Sequence, residues 1–173
     1  MKKRFTGLAF IVLSILIVSV SAYVFESASQ TVTQTVKDVA TITIQNSALG
    51  DINEGETITY TESEVSELGD AISIVTTSAE SNVYLHLDSD IDDLSGYYST
   101  YNIVVKFGTV VGDTYSVGDT ACTLSLGSPD YSSIDLDAAG TWTFDFEITT
   151  TATQVSSDQA TTVTIVTTAE STA

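Results

Sequence analysis

Residues 31–45, TVTQTVKDVATITIQ, form an extended run of fifteen residues, too long for one ordinary strand. At about 3.3 Å per residue the run would span roughly 50 Å, whereas strands in globular proteins usually hold about 3–10 residues. Lys37 and Asp38 divide it. Before them Val32 and Val36 share one face with Gln34; after them Ala40, Ile42 and Ile44 continue an apolar stripe with threonines opposite. This pattern predicts that the second half joins the chain's own sheet. The first half, together with the residues before it, is expected to pair with the sheet of a neighbouring copy.

Upstream, residues 1–22 read as a secretory signal: Lys2, Lys3 and Arg4, then an apolar core from Leu8 to Val20 broken only by Ser14 and Ser19, then Ser21 and Ala22. A core of this length falls in the roughly 7–15 residue range of signal peptides and short of the roughly 20 residues that cross a bilayer. Cleavage after Ala22 is expected, giving a secreted protein at the cell surface or beyond, with no membrane contact once the signal is gone. Two alternatives stay open. The segment is retained as an anchor, since Tyr23, Val24 and Phe25 extend it, or it is the retained helix of an archaeal type IV pilin. Against the latter, Phe5, Thr6 and Gly7 follow the basic cluster where a class III signal carries a small residue directly behind the charges.

All 23 acidic residues lie beyond Tyr23, but only Lys37 and Lys106 of the five basic ones do. A chain of residues 23–173 therefore carries 2 − 23 = −21, counting His86 as neutral. Such a charge argues against nucleic acid and anionic membrane surfaces as partners. Cys122 is the single cysteine, so no intramolecular disulfide staples the fold. It shares a strand face with Leu124 and Leu126, which predicts a buried, inert thiol.

From residue 39 onward the chain reads as one β-sandwich domain, preceded by an extended arm over residues 23–38. Strands are predicted at 57–61, 71–78, 82–88, 102–110, 120–126, 140–150 and 161–168, with one helical turn in EVSELGD. The clearest alternation runs through GTWTFDFEITT: Trp142, Phe144, Phe146 and Ile148 point inward, and Thr141, Thr143, Asp145, Glu147 and Thr149 point to water. Residues 88–101, DSDIDDLSGYYSTY, have a helical look, with Asp90 placed to cap a turn in which Ile91 and Leu94 lie three apart. Eight or nine strands, one proline and almost no helix predict an all-β fold, an antiparallel β-sandwich of jelly-roll or immunoglobulin-like type. The sequence has no N-x-S/T sequon, although residues 149–153 offer hydroxyls for O-glycans.

The layout resembles a known family. A signal peptide, the β-rich start TVTQTVKDVATITI, the acidic GDINEGETITYT turn and strand, and the late AGTWTFDFEI strand look like the TasA/camelysin-like secreted filament proteins and the related archaeal bundling pilins. The resemblance covers most of the chain beyond the signal in layout. It implies a jelly-roll subunit of an extracellular filament or pilus, a homopolymer assembled head to tail by donor-strand complementation in biofilm matrix or cell adhesion. Val24, Phe25, Val32, Gln34 and Val36 are then the donor-strand interface. Some family members are described as metallopeptidases, but this chain has no HExxH motif and one histidine.

Enzymatic chemistry finds few convergent groups. A zinc protease centre uses two or three histidines and a serine triad one, and His86 lies on the strand face opposite Val83, Leu85 and Leu87. No cofactor is expected, with calcium as the one candidate metal. Asp88, Asp90, Asp92 and Asp93 place alternate carboxylates where a hard cation could be held. The spacing departs from an EF-hand, with Asp93 in place of glycine and Ser99 in place of the bidentate glutamate. A monomeric secreted or anchored β-sandwich that serves in adhesion or binding is the alternative to the filament subunit.

A donated strand must offset its own ordering. Fixing residues 31–36 costs roughly 6–12 kcal/mol of backbone entropy. Two buried valines return about 1.5–3 kcal/mol each, and six ladder hydrogen bonds about 0.5–1.5 kcal/mol each. The terms nearly cancel, so the joint is expected to enlist Val24 and Phe25 or contacts between domain faces.

Overall fold

Strand β8, Gly140–Ala152, is the longest among the described residues, and the larger of two sheets is built on it. Trp142, Phe144, Phe146 and Ile148 are buried along its inner face, and β-branched threonines line much of the other. A computed structural model describes residues 40–77, 83–128 and 131–171. In chain order its strands are β1 (Ala40–Ile44), β2 (Thr57–Tyr60), β3 (Ile72–Thr76), β4 (Val83–Ser89), β5 (Tyr98–Thr109), β6 (Thr120–Ser125), β7 (Tyr131–Leu136), β8 and β9 (Ile165–Ser171).

The six-stranded sheet runs β1-β3-β8-β5-β6, and the three-stranded sheet runs β7-β4-β9. Every pairing is antiparallel. The length of β8 lets two short strands share it: β3 pairs with its first part from Gly140 to Phe144, and β2 with its last from Ile148 to Thr151. Thr57 bonds Thr151 and Thr59 bonds Thr149 across the latter pair, both at 2.9 Å through their hydroxyls. Between β2 and β3 the chain makes one 3-10 turn, Ser66–Leu68, that drives Leu68 fully into the core. The sheets face each other through Ile72, Ile74, Ile103, Val105, Phe107 and the β8 aromatics on one side and Val83, Leu85, Leu87, Ile134 and Leu136 on the other. The fold is therefore the all-β antiparallel sandwich that the alternation predicts. The donor half of the opening stretch, with Val24, Phe25, Val32, Gln34 and Val36, lies outside the described residues, as do the signal and the cleavage position.

Four local expectations are corrected. Residues 98–101 are strand: β5 begins at Tyr98, because Tyr101 buries its ring opposite Thr150 and packs edge-on against Tyr98 at 5.1 Å. The helical character upstream is confined to a 3-10 turn, Ile91–Leu94. β7 was not expected at all, since its inner row, Ser132, Ile134 and Leu136, is diluted by serine. β9 begins four residues later than the 161–168 reading, because Thr164 spends its backbone on Asp90 rather than on a ladder. Thr143 is 8% exposed although its position in the alternation faces water. Gly108 explains it: a Cβ there would meet the Thr143 Oγ1 and Asp145 Oδ1 atoms at 2.8 Å each, so β5 closes over that part of β8 only as glycine.

Candidate functional site

The two sides of the sandwich end differently. On one side β6 lies beside β7 and the core is sealed: Cys122 and Leu124 of β6 and Ile134 and Leu136 of β7 are buried. Burial pushes the Cys122 thiol up to about 11, against an ordinary value of 9.0, with the Ser132 side chain acting weakly in the opposite direction. It is the inert core thiol expected from its strand face.

On the other side β1 lies beside β9, and the seam between them stays open. Ala40, Ile42 and Ile44 pair with Thr76, Ile74 and Ile72, so they point into the sandwich, yet all three are incompletely covered and Ile44 is 40% exposed. Ile165, Thr167 and Ala169 of β9 pair with Ser89, Leu87 and Leu85 and also point inward, and all three are only half-buried. Their β4 partners Leu85 and Leu87 are fully buried. Among the described residues β1 pairs with β3 alone and β9 with β4 alone. The inward row of β9 reads apolar, polar, apolar: Ile165, Thr167, Ala169.

Asp90 sets the position of this seam. Its backbone N–H donates to the Thr164 carbonyl at 3.3 Å, and its Oδ1 accepts the Thr164 N–H at 2.6 Å, which pins the lead into β9 against the end of β4. The carboxylate expected to cap the 3-10 turn makes no cap hydrogen bond, because it is engaged by β9 instead. Asp92 plays a matching part on the sealed side, where its Oδ1 accepts the Gly127 N–H at 2.8 Å and holds the turn after β6.

Of the calcium candidates, Asp88 sits exposed near the end of β4, Asp90 and Asp92 face opposite sides as just described, and Asp93 is exposed on the 3-10 turn. Among the described residues no group of three or more His, Cys, Asp or Glu side chains is placed to hold a metal ion. The signal for the actual role of Asp90 and Asp92 is their short spacing beside two turns, where aspartate accepts backbone N–H groups. His86 lies on the outer face of the small sheet, as its strand position predicts. It stacks on Tyr131 with ring centroids 5.0 Å apart and its Nδ1 contacts the Tyr131 hydroxyl. Neither a protein-family model nor a curated protein sequence matches the chain.

Proposed function

We propose that this protein is the subunit of an extracellular filament that polymerises by donor-strand complementation, as its resemblance to the TasA/camelysin-like proteins and archaeal bundling pilins implies, and that the β1/β9 seam is the acceptor. The observation that carries the reading is the half-buried inward row of β9 beside an equally uncovered row on β1, in a domain whose opposite side is sealed. The occupant is the arm of a second copy. Its row Val32, Gln34, Val36 repeats the apolar, polar, apolar order of Ile165, Thr167, Ala169. Whichever way the arm runs, its centre Gln34 meets the centre Thr167, and its valines meet the two apolar ends. One donor and one acceptor per subunit give a heterologous contact, which builds an open fibre.

Three residues separate Val36, the last donor residue, from β1 of its own domain, so Lys37 and Asp38 lie where the chain turns from one subunit to the next. Secretion follows from the signal, and assembly outside the cell keeps the uncovered seam away from the cytoplasm. No catalytic role is assigned. Calcium belongs to this reading only as a ligand of the assembled fibre, and calorimetry of calcium against monomer and fibre tests it: heat of binding in neither removes calcium from the proposal. The aromatic outer face of the small sheet, with Tyr131 53% and Val166 51% exposed, favours the second reading, a monomeric adhesion or binding module.

Deletion of residues 23–36 separates the two. The filament reading expects soluble monomers from the deletion and fibres from the parent chain, seen by negative stain and cryo-electron microscopy with arm density in the next subunit's seam. Fibres that form without the arm overturn it.

A further inference from the structure

The carboxylates of this chain are spread rather than gathered. Among the described residues they lie on loops, turns and both outer faces, and none forms a group able to coordinate an ion. Little within the domain offsets them: Lys106 pairs with Glu147 at 2.6 Å on the outer face of the large sheet, and both side chains are about one-third exposed. The 13 residues of β8 extend up to about 44 Å, which sets the length scale of the domain.

Resting on the filament reading, a linear charge density follows. With the long strand along the fibre, 21 net charges per about 44 Å amount to roughly one per 2 Å, close to the one per about 1.7 Å of duplex DNA. Retention of the whole chain, at −18, relaxes this only to about one per 2.5 Å. Strands lying across the fibre axis would shorten the repeat and raise the density further. A rod charged in this way condenses counterions, whereas a separate subunit of the same net charge holds them weakly. Polymerisation therefore takes up cations.

We infer that the filament is a polyanion whose assembly is governed by ionic strength and by multivalent cations, which are held in a diffuse counterion atmosphere and not at a coordinated site. The ionic composition outside the cell then acts as the regulator of the seam. Dilute salt leaves subunits apart through mutual repulsion. Physiological or higher salt, or a small amount of a divalent or trivalent cation, brings them together and draws neighbouring fibres side by side.

The experiment measures the critical concentration for pelleting of freshly purified protein against NaCl, MgCl2, CaCl2 and spermidine. The expected result is a fall of about tenfold or more between about 20 mM and about 0.5 M NaCl. Magnesium and calcium should act alike, and spermidine at lower concentration than either. A variant with Glu54→Gln, Asp93→Asn, Asp113→Asn and Asp158→Asn, all at exposed positions, should polymerise at lower salt than the parent. An arm-dependent polymer with a critical concentration flat across this range overturns the inference and leaves the filament reading standing, as does a response to calcium without one to magnesium. The absence of arm-dependent polymer at every salt overturns both.

Discussion

The two sides of this sandwich are made of similar residues and differ in how far they are finished. At β6/β7, Leu124, Cys122, Ile134 and Leu136 are buried and close the gap between the sheets. At β1/β9, isoleucines and alanines of equivalent inward orientation stay partly in contact with solvent. Among the described residues the large sheet runs five strands abreast and the small one three, and the less-covered side falls at β1, the strand that residues 31–39 lead into. The lesson is that incomplete burial is informative when it is asymmetric. Scattered exposed apolar residues are ordinary on any surface, whereas a whole inward row left half-buried is a candidate place for another element.

The strongest way to break the comparison is core truncation. Leu124→Ala on the sealed side should cost about 2–5 kcal/mol of monomer stability in urea unfolding, because it leaves a cavity in a closed core. Ile165→Ala on the open side should cost about 1–2 kcal/mol in the monomer, since that side chain is only partly buried against the core. Equal losses would show that the two sides are equally packed and would remove the acceptor.

Alkaline titration tests the sealed interior itself. Burial, with lesser contributions from Tyr98, Tyr60 and Asp90, pushes the Tyr101 hydroxyl from an ordinary 10.0 up to about 12, and burial raises the Cys122 thiol to about 11. Both groups are neutral when protonated, and the fold favours that form. Their contribution is therefore complete below the unfolded values near 9 and 10, and it is lost as pH rises through 11 and 12. Each shift corresponds to about 2–3 kcal/mol. Denaturation monitored by circular dichroism should fall steeply in this window, and Tyr101→Phe should flatten its upper part; an unchanged profile in that variant would refute the assignment.

A smaller effect sharpens the open side. If Gln34 of one subunit meets Thr167 of the next, Thr167→Val leaves the amide facing an apolar wall and should weaken the joint by about 1–3 kcal/mol. Gln34→Val should do the same, and the double variant should recover most of the loss, as read by critical concentration. Additive losses would mean that the two positions do not meet.

Much of this was legible from the chain. The period-two alternation of GTWTFDFEI placed the inner row of β8 correctly, and the face of Cys122 foretold its burial. Asp90 was legible as a turn residue but not as the clamp on β9, because its partner Thr164 lies 74 positions away. β7 escaped notice since two serines in six residues obscure its period, and only the apposed β4 row shows that Ile134 and Leu136 belong inside.

The sequence by itself determined the class of the fold, the acidic composition and the inner row of β8. These are properties of local alternation and summed charge, which need no knowledge of neighbours. The tertiary structure alone decided which side of the sandwich is sealed, because sealing depends on which strands become neighbours across the gap. That choice is set by pairings between residues far apart in the chain, such as Leu85 with Ile134 and with Ala169, and no local pattern specifies them.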